Sequence, residues 1–242
     1  MADKILQIAA SSAIMKYKWK NRGVAPAGYI KGMAMAYARV YCKWKAGDDA
    51  ATEMAKPDTH DDSRDALACY SKEFADTGMD NSVAGADTLR HLFVLLIGLG
   101  MRESSGRYCE GRDRSASNTS ADTAEAGLFQ TSYNARHASP LLPQLFTRYA
   151  NSDDFLDIFK EGVSCRTADL ENFGTGDGKE FQRMTKTCPA FAVEFTALAL
   201  RNVREHWGPI NRKEAELRSE GNTMLFAVQN AVDDFGLCPL VS

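Results

Sequence analysis

The apolar run from Leu92 to Met101 ends abruptly on Arg102 and Glu103, with Ser104, Ser105 and Gly106 directly behind. If that run is a buried helix, Glu103 emerges at its C-terminal edge. Two effects then oppose ionisation of the carboxyl group. Apolar surroundings penalise the charged form, and the helix dipole is negative at that end. Both raise the pKa. A carboxylic acid that keeps its proton near neutrality is suited to protonating a leaving oxygen. The small polar residues behind it suit the wall of a groove. The competing reading is that Arg102 and Glu103 only mark an exposed or ion-paired helix end.

Positioning such an acid needs a scaffold, and the scaffold reads as mainly helical. Residues 3–20 read as a helix. Residues 27–47 read as another, with Ile30, Met33, Ala34, Tyr37 and Val40 at three- and four-residue spacing and Gly47 as its stop. Residues 48–56 are Ala-rich and form a short helix before Pro57, and 58–77 are helical, carrying Leu67, Tyr70 and Phe74. Asp87 is the expected N-cap of the helix over 88–101. That helix is apolar on nearly every side past Leu92, so it belongs at the centre of the fold. Residues 104–126 read as an irregular lobe with room for a small hairpin. Helices are expected over 140–150, 152–162, 188–208, 211–218 and 223–235. The stretch 172–181 reads as a glycine-rich loop beside the groove; it has no GK[ST] and no strand-to-helix setting, which argues against phosphate binding.

The chain has 242 residues, 44% of them hydrophobic, enough for one large domain or one domain with an extension. A net charge of −3 gives no global polybasic character for nucleic acid. The charge is uneven: eight Lys or Arg and no acid lie from Lys16 to Lys45, then eleven acids against four bases from Ala46 to Arg90. This pattern fits a basic helical face beside an acidic one. It also fits attraction to an anionic polymer, with Tyr17, Trp19, Tyr41 and Trp44 adding flat faces. No stretch reaches the roughly 18 apolar residues of a membrane span. The N-terminus is an amphipathic helix rather than a signal peptide, because Asp3 and Gln7 interrupt it and basic residues follow directly. Six cysteines allow two or three disulfides, with buried free thiols as the alternative. No CxxC occurs and the four histidines do not fall at zinc spacings, so no metal is expected.

A second segment bears on Glu103. "RESSG", residues 102–106, followed by "AGLFQ", residues 126–130, resembles the lysozyme-like superfamily, in particular goose-type lysozymes and soluble lytic transglycosylases. Those families carry Glu-Ser at the end of a central helix and a "GLMQ" segment after an irregular lobe. The resemblance covers roughly residues 90–140. It implies a mainly α, two-lobed lysozyme-like domain with a small irregular or β-hairpin lobe. Residues 58–242 would form that catalytic domain and 1–57 an N-terminal helical extension. It also implies that Glu103 is the general acid, that Gln130 lines the groove, and that the substrate is a β-1,4-linked amino-sugar strand, usually peptidoglycan. The sequence departs from the pattern in three ways. The gap between Glu103 and Gln130 is longer, Ser132 stands where goose-type enzymes tend to have Asp, and the transglycosylases' Met-Pro after "GLMQ" is absent.

Hydrolysis needs a second carboxylate, either to activate water or to bond the sugar; lytic transglycosylation needs none, because the substrate's own hydroxyl attacks. Glu110, Asp113, Asp122 and Glu125 are the choices. Glu125 leads because it lies two residues before the turn at Gly127, with Asp122 and Asp113 next. Each could equally be a solvated loop acid. Ser104, Gln130, Ser132, Tyr133 and Asn134 could hold N-acetyl groups and hydroxyls, with core packing as the alternative for Tyr133. No cofactor or metal is needed. The expectation is a bacteriolytic muramidase hydrolysing the MurNAc-β-1,4-GlcNAc linkage. A lytic transglycosylase on the same bond, a chitin-cleaving relative and a non-catalytic glycan-binding module are the alternatives. Such a protein works in the periplasm or on the cell wall, exported without a signal peptide or delivered by a secretion system or phage. A delivered toxin would require an inhibitor or immunity protein in its producer.

Overall fold

The computed structural model describes residues 2–113, 120–236 and 238. Residues 114–119, in the middle of the lobe expected over 104–126, lie outside that description. The architecture is mainly helical, with one small two-stranded antiparallel sheet.

Helix α1 (Ala2–Ser11) stops well short of residue 20. Ser11 and Ser12 turn their hydroxyls back onto the Gln7 and Ala9 carbonyls at 2.9 and 2.6 Å, a local bond that competes with helix propagation. Strand β1 (Lys18–Trp19) then pairs with β2 (Gly23–Val24), Trp19 opposite Gly23. Asn21 and Gly23, at φ of 60° and 74°, reverse the chain between them. Helix α2 (Ala27–Lys45) follows the expected periodicity, and α3 (Asp49–Met54) is capped by Asp48, which accepts from the Ala51 amide at 3.0 Å.

The helix expected over 58–77 is replaced by a looped segment and two short helices, α4 (Ala66–Cys69) and α5 (Ser71–Asp76). Asp58, Asp61 and Asp65 accept from the amides of His60, Ser63 and Leu67, so side chains take donors that a helix would use internally. Helix α6 (Ala86–Ser104) begins before Asp87. Gly85, at φ 145°, holds the N-cap position, and Asp87 pairs with Arg90 at 2.7 Å instead of capping. Further on come α7 (Leu141–Arg148), α8 (Leu156–Phe159) and α9 (Thr167–Leu170). The expected helix over 152–162 is reduced to α8 because Phe155 sits in the left-handed region at φ 69°.

Helix α10 (Gly176–Thr187) starts inside the stretch expected to be loop, so only its first half is loop. Helix α11 (Pro189–Leu200) ends earlier than residue 208, where the Asn202 amide side chain covers the Leu198 carbonyl at 3.0 Å. Helix α12 (Gly208–Asn211) follows. The helix expected over 211–218 does not form: Lys213 adopts φ 53°, and the Glu214 amide closes a turn onto Pro209. Helix α13 (Ser219–Phe235) ends on Gly236 in the left-handed conformation.

The core runs through α6 and α11, whose apolar side chains are almost wholly buried. Residues of α1, α2 and α13 belong to the same hydrophobic cluster. Two glycines let partners approach α6 closely. A Cβ at Gly98 would lie 2.4 Å from the Glu216 carbonyl oxygen, and one at Gly100 would lie 2.4 Å from the Tyr29 hydroxyl. That hydroxyl donates to the Ile97 carbonyl at 2.8 Å, fixing α2 against α6. Disulfides join Cys42 to Cys238 and Cys109 to Cys165, while Cys69 and Cys188 are free. Among the described residues, no helix is long and apolar enough to cross a membrane.

Candidate active site

Glu103 lies in the last turn of α6 rather than beyond it, because the helix continues through Ser104. The ending is a Schellman-type motif. Ser105 is left-handed at φ 55°, its amide bonds the Met101 carbonyl at 3.1 Å, and the Gly106 amide bonds Gly100 at 3.1 Å. The Arg22 guanidinium, from the β1–β2 turn, donates to the Arg102 carbonyl and satisfies another of the exposed helix-end acceptors. Glu103 is partly buried, and among the described residues its carboxylate has no hydrogen-bond or ion-pair partner. Burial pushes its pKa up to about 8, and the charge of Glu125 adds to the rise; Arg22, Arg212 and Arg102 pull the other way. Desolvation outweighs three nearby cations because none of them contacts the carboxylate directly.

Glu125 is held by the turn that follows it. Ala126 bridges Thr131, and the Gly127 amide donates to the Glu110 carbonyl at 2.8 Å. Gly127 has φ 77°, and a Cβ there would lie 2.8 Å from the Thr185 carbonyl oxygen of α10. Phe129 is buried close to Gly100 of α6, and its carbonyl accepts from Trp207 Nε1 at 2.9 Å. The turn is therefore clamped between α6, α10 and Trp207, and this brings Glu125 within electrostatic range of Glu103. Burial and the charge of Asp113 raise the Glu125 pKa as well. The arrangement is two half-buried carboxylic acids, each with its pKa raised by burial.

Gly127→Ala is expected to lower stability by about 2 kcal/mol, through both the backbone strain and the clash with Thr185. That corresponds to a fall in Tm of about 6 °C for a chain of this size, read by thermal denaturation. An unchanged Tm would show that the turn is not clamped as described.

The other expected site residues separate into groups. Ser104 is buried, and its hydroxyl is engaged by the Gly100 carbonyl at 3.0 Å. Gln130 is 9% exposed, holds φ 45°, and donates Nε2 to the Gly127 carbonyl at 3.1 Å, so it braces the turn. The Ser132 hydroxyl reaches Asn134 Oδ1 at 2.5 Å and lies 3.4 Å from His206 Nε2; Asn134 is exposed. Tyr133 packs on Phe146 and Phe181 and bonds Asp177 at 3.2 Å, with Arg136 over its face. Asp122 faces Arg136 at 3.4 Å and abuts Gly178. Glu110 is ion-paired to Arg107, which also reaches Asp169. Asp113 is exposed and acts on Glu125.

Four residues near this region were not among the expected site residues. Arg22 and Arg212 approach Glu103 from distant segments. His206 is kept neutral by burial, its pKa pushed down to about 4, and Trp207 holds the Phe129 carbonyl. Arg22 belongs to the basic Lys16–Lys45 stretch, but nothing local ties it or the other three to Glu103, since each matters only through its place in the fold. Among the described residues, no group of three or more His, Cys, Asp or Glu side chains could hold a metal ion. No protein-family model matches the chain, and no curated protein or solved structure does either.

Proposed function

We propose that the protein is a muramidase of lysozyme-like architecture that hydrolyses the MurNAc-β-1,4-GlcNAc linkage of peptidoglycan. The observation that carries the reading is the Glu103 carboxyl: half-buried at the end of a central helix, without a partner among the described residues, its pKa pushed by burial up to about 8. Such a group can protonate the glycosidic oxygen as the bond to the sugar lengthens. The second carboxylate is Glu125, which acts electrostatically on Glu103 and is the base or nucleophile for the other half of the reaction. Its presence favours hydrolysis over transglycosylation. Ser132, Asn134 and the neutral imidazole of His206 supply uncharged polar groups for sugar hydroxyls and N-acetyl groups. In this reading the protein acts on the cell wall, and a producer cell exposed to it would need an inhibitor.

Mass spectrometry of digested sacculi tests this directly. Reducing muramyl ends are expected, and anhydro-muramyl ends, each lighter by one water, would overturn hydrolysis. Glu125→Gln is expected to lower the rate of lysis about 10²- to 10³-fold, because an amide can neither activate water nor bond the sugar. Full activity in that variant would leave the reaction with one carboxylate and favour transglycosylation. A wild-type protein that binds sacculi without releasing any fragment would instead support a glycan-binding module.

A further inference from the structure

A cleft of about 400 Å³ opens beside the end of α6, between the β1–β2 turn and the segment after α12. Gly98, Met101 and Arg102 form its α6 wall. Five cationic side chains, Lys20, Arg22, Arg102, Arg212 and Lys213, line it against two carboxylates, Glu214 and Glu216. Both carboxylates are engaged. Glu214 accepts from Arg102 at 3.0 Å and from Arg212 at 3.1 Å, and Glu216 accepts from the Tyr17 hydroxyl and the Lys20 amide at 2.9 and 2.8 Å. Lys213 is itself paired with Glu73 at 3.0 Å, so the positive excess of the cleft comes from Lys20 and Arg22. Trp19 also lines it, 3% exposed, with a buried Nε1 that has no hydrogen-bond partner among the described residues. Arg22, Arg102 and Arg212 act electrostatically on Glu103, so the cleft adjoins the acid.

We infer that this cleft receives the carboxylates of the stem peptide borne by the muramyl sugar next to the cleaved bond. The inference rests on the muramidase reading. The sugar backbone of such a strand is neutral, and its charge lies in the carboxylates of the peptides attached through the lactyl ether. A cation-lined recess beside the acid has no use on a neutral glycan but matches that charge. The cleft thereby makes peptide-bearing strands better substrates than bare amino-sugar chains. Lys20 is the residue to vary. Its side chain is exposed, makes no ion pair among the described residues, and is not among the charges acting on Glu103.

The test has a binding arm and a cleavage arm. Calorimetry at low salt measures binding of the free stem peptide, of the same peptide with its carboxylates amidated, and of inorganic phosphate. The free peptide is expected to bind. The amidated one is expected to bind at least tenfold more weakly, and Lys20→Glu to weaken binding of the free peptide about fivefold or more. In the cleavage arm, Lys20→Glu is expected to raise KM for peptide-bearing strands by a similar factor and to leave cleavage of neutral chitooligosaccharides unchanged. Equal binding of the free and amidated peptides, or no effect of Lys20→Glu, would overturn the inference while lysis continued. Phosphate binding as tight as the peptide's would make the cleft a general anion site and overturn the peptide assignment. Failure of the wild type to cut any glycan would overturn the muramidase reading, and the binding arm would still report on the cleft.

Discussion

Glu103→Gln is expected to abolish lysis of sacculi and, in the same protein, to raise stability at alkaline pH. Loss of the proton donor removes general acid catalysis and leaves only groove binding, so a fall of at least 10³-fold in the turbidity rate is expected. The stability effect follows from proton linkage. In the fold the carboxyl holds its proton up to about pH 8, whereas the unfolded chain releases it near 4.3. The native state binds the extra proton, so stability that is present below the unfolded pKa is lost as pH rises through the folded one. The penalty reaches on the order of 3 kcal/mol above pH 8, after allowance for the partial exposure of the group. The amide has no such penalty. Denaturant curves at pH 5 and pH 9 should therefore show the wild type weakening relative to Glu103→Gln as pH rises. The kcat/KM profile of the wild type is expected to fall above about pH 8, as Glu103 ionises. Identical pH dependence of stability in the two proteins would show that the carboxyl is solvated.

Arg201→Met is expected to cost 3–5 kcal/mol, the range for a broken buried ion pair. Arg201 is 5% exposed and its Asp65 partner fully buried. The guanidinium meets Asp65 in a fork, Nε to Oδ1 and Nη2 to Oδ2, both at 2.9 Å. Its remaining donors reach the carbonyls of Met54, Lys56 and Pro57 at 2.9, 2.8 and 2.6 Å. One side chain thus ties the end of α11 to the loop after α3 and to the cap of α4. Methionine matches its length and leaves three orphaned carbonyls and a buried carboxylate without a counter-charge, held only by the Thr59 and Leu67 amides. Adding Asp65→Asn should recover part of the loss, since no buried charge then lacks a partner. Urea denaturation reads both variants, and a single-variant loss below about 1 kcal/mol would rule out this pair as a staple of the fold.

What the sequence alone determined was local. The apolar run from Leu92 is a buried helix, and α2 follows its three-and-four spacing, because a one-sided or all-round apolar pattern needs no long-range information to declare itself. The direction of the Glu103 pKa was legible in part: the apolar run beside it announces burial, whereas the charge of Glu125 that adds to the rise comes only from the fold. Helix boundaries were less legible. Short polar side chains at Ser11, Asp58, Asp61 and Asn202 bond the backbone where periodicity alone says the helix goes on. The tertiary structure decided the rest. It chose Glu125 over Asp122 as the carboxylate that acts on Glu103, by clamping the turn at Gly127 against Thr185 and Trp207 while Asp122 faces Arg136. It turned Ser104 and Gln130 onto backbone carbonyls and Tyr133 into an aromatic cluster, and it gathered Lys20, Arg22 and Arg212 around one cleft. Electrostatic range and hydrogen-bond reach are set by distances of a few ångströms, and between residues some hundred positions apart those distances exist only once the chain has packed.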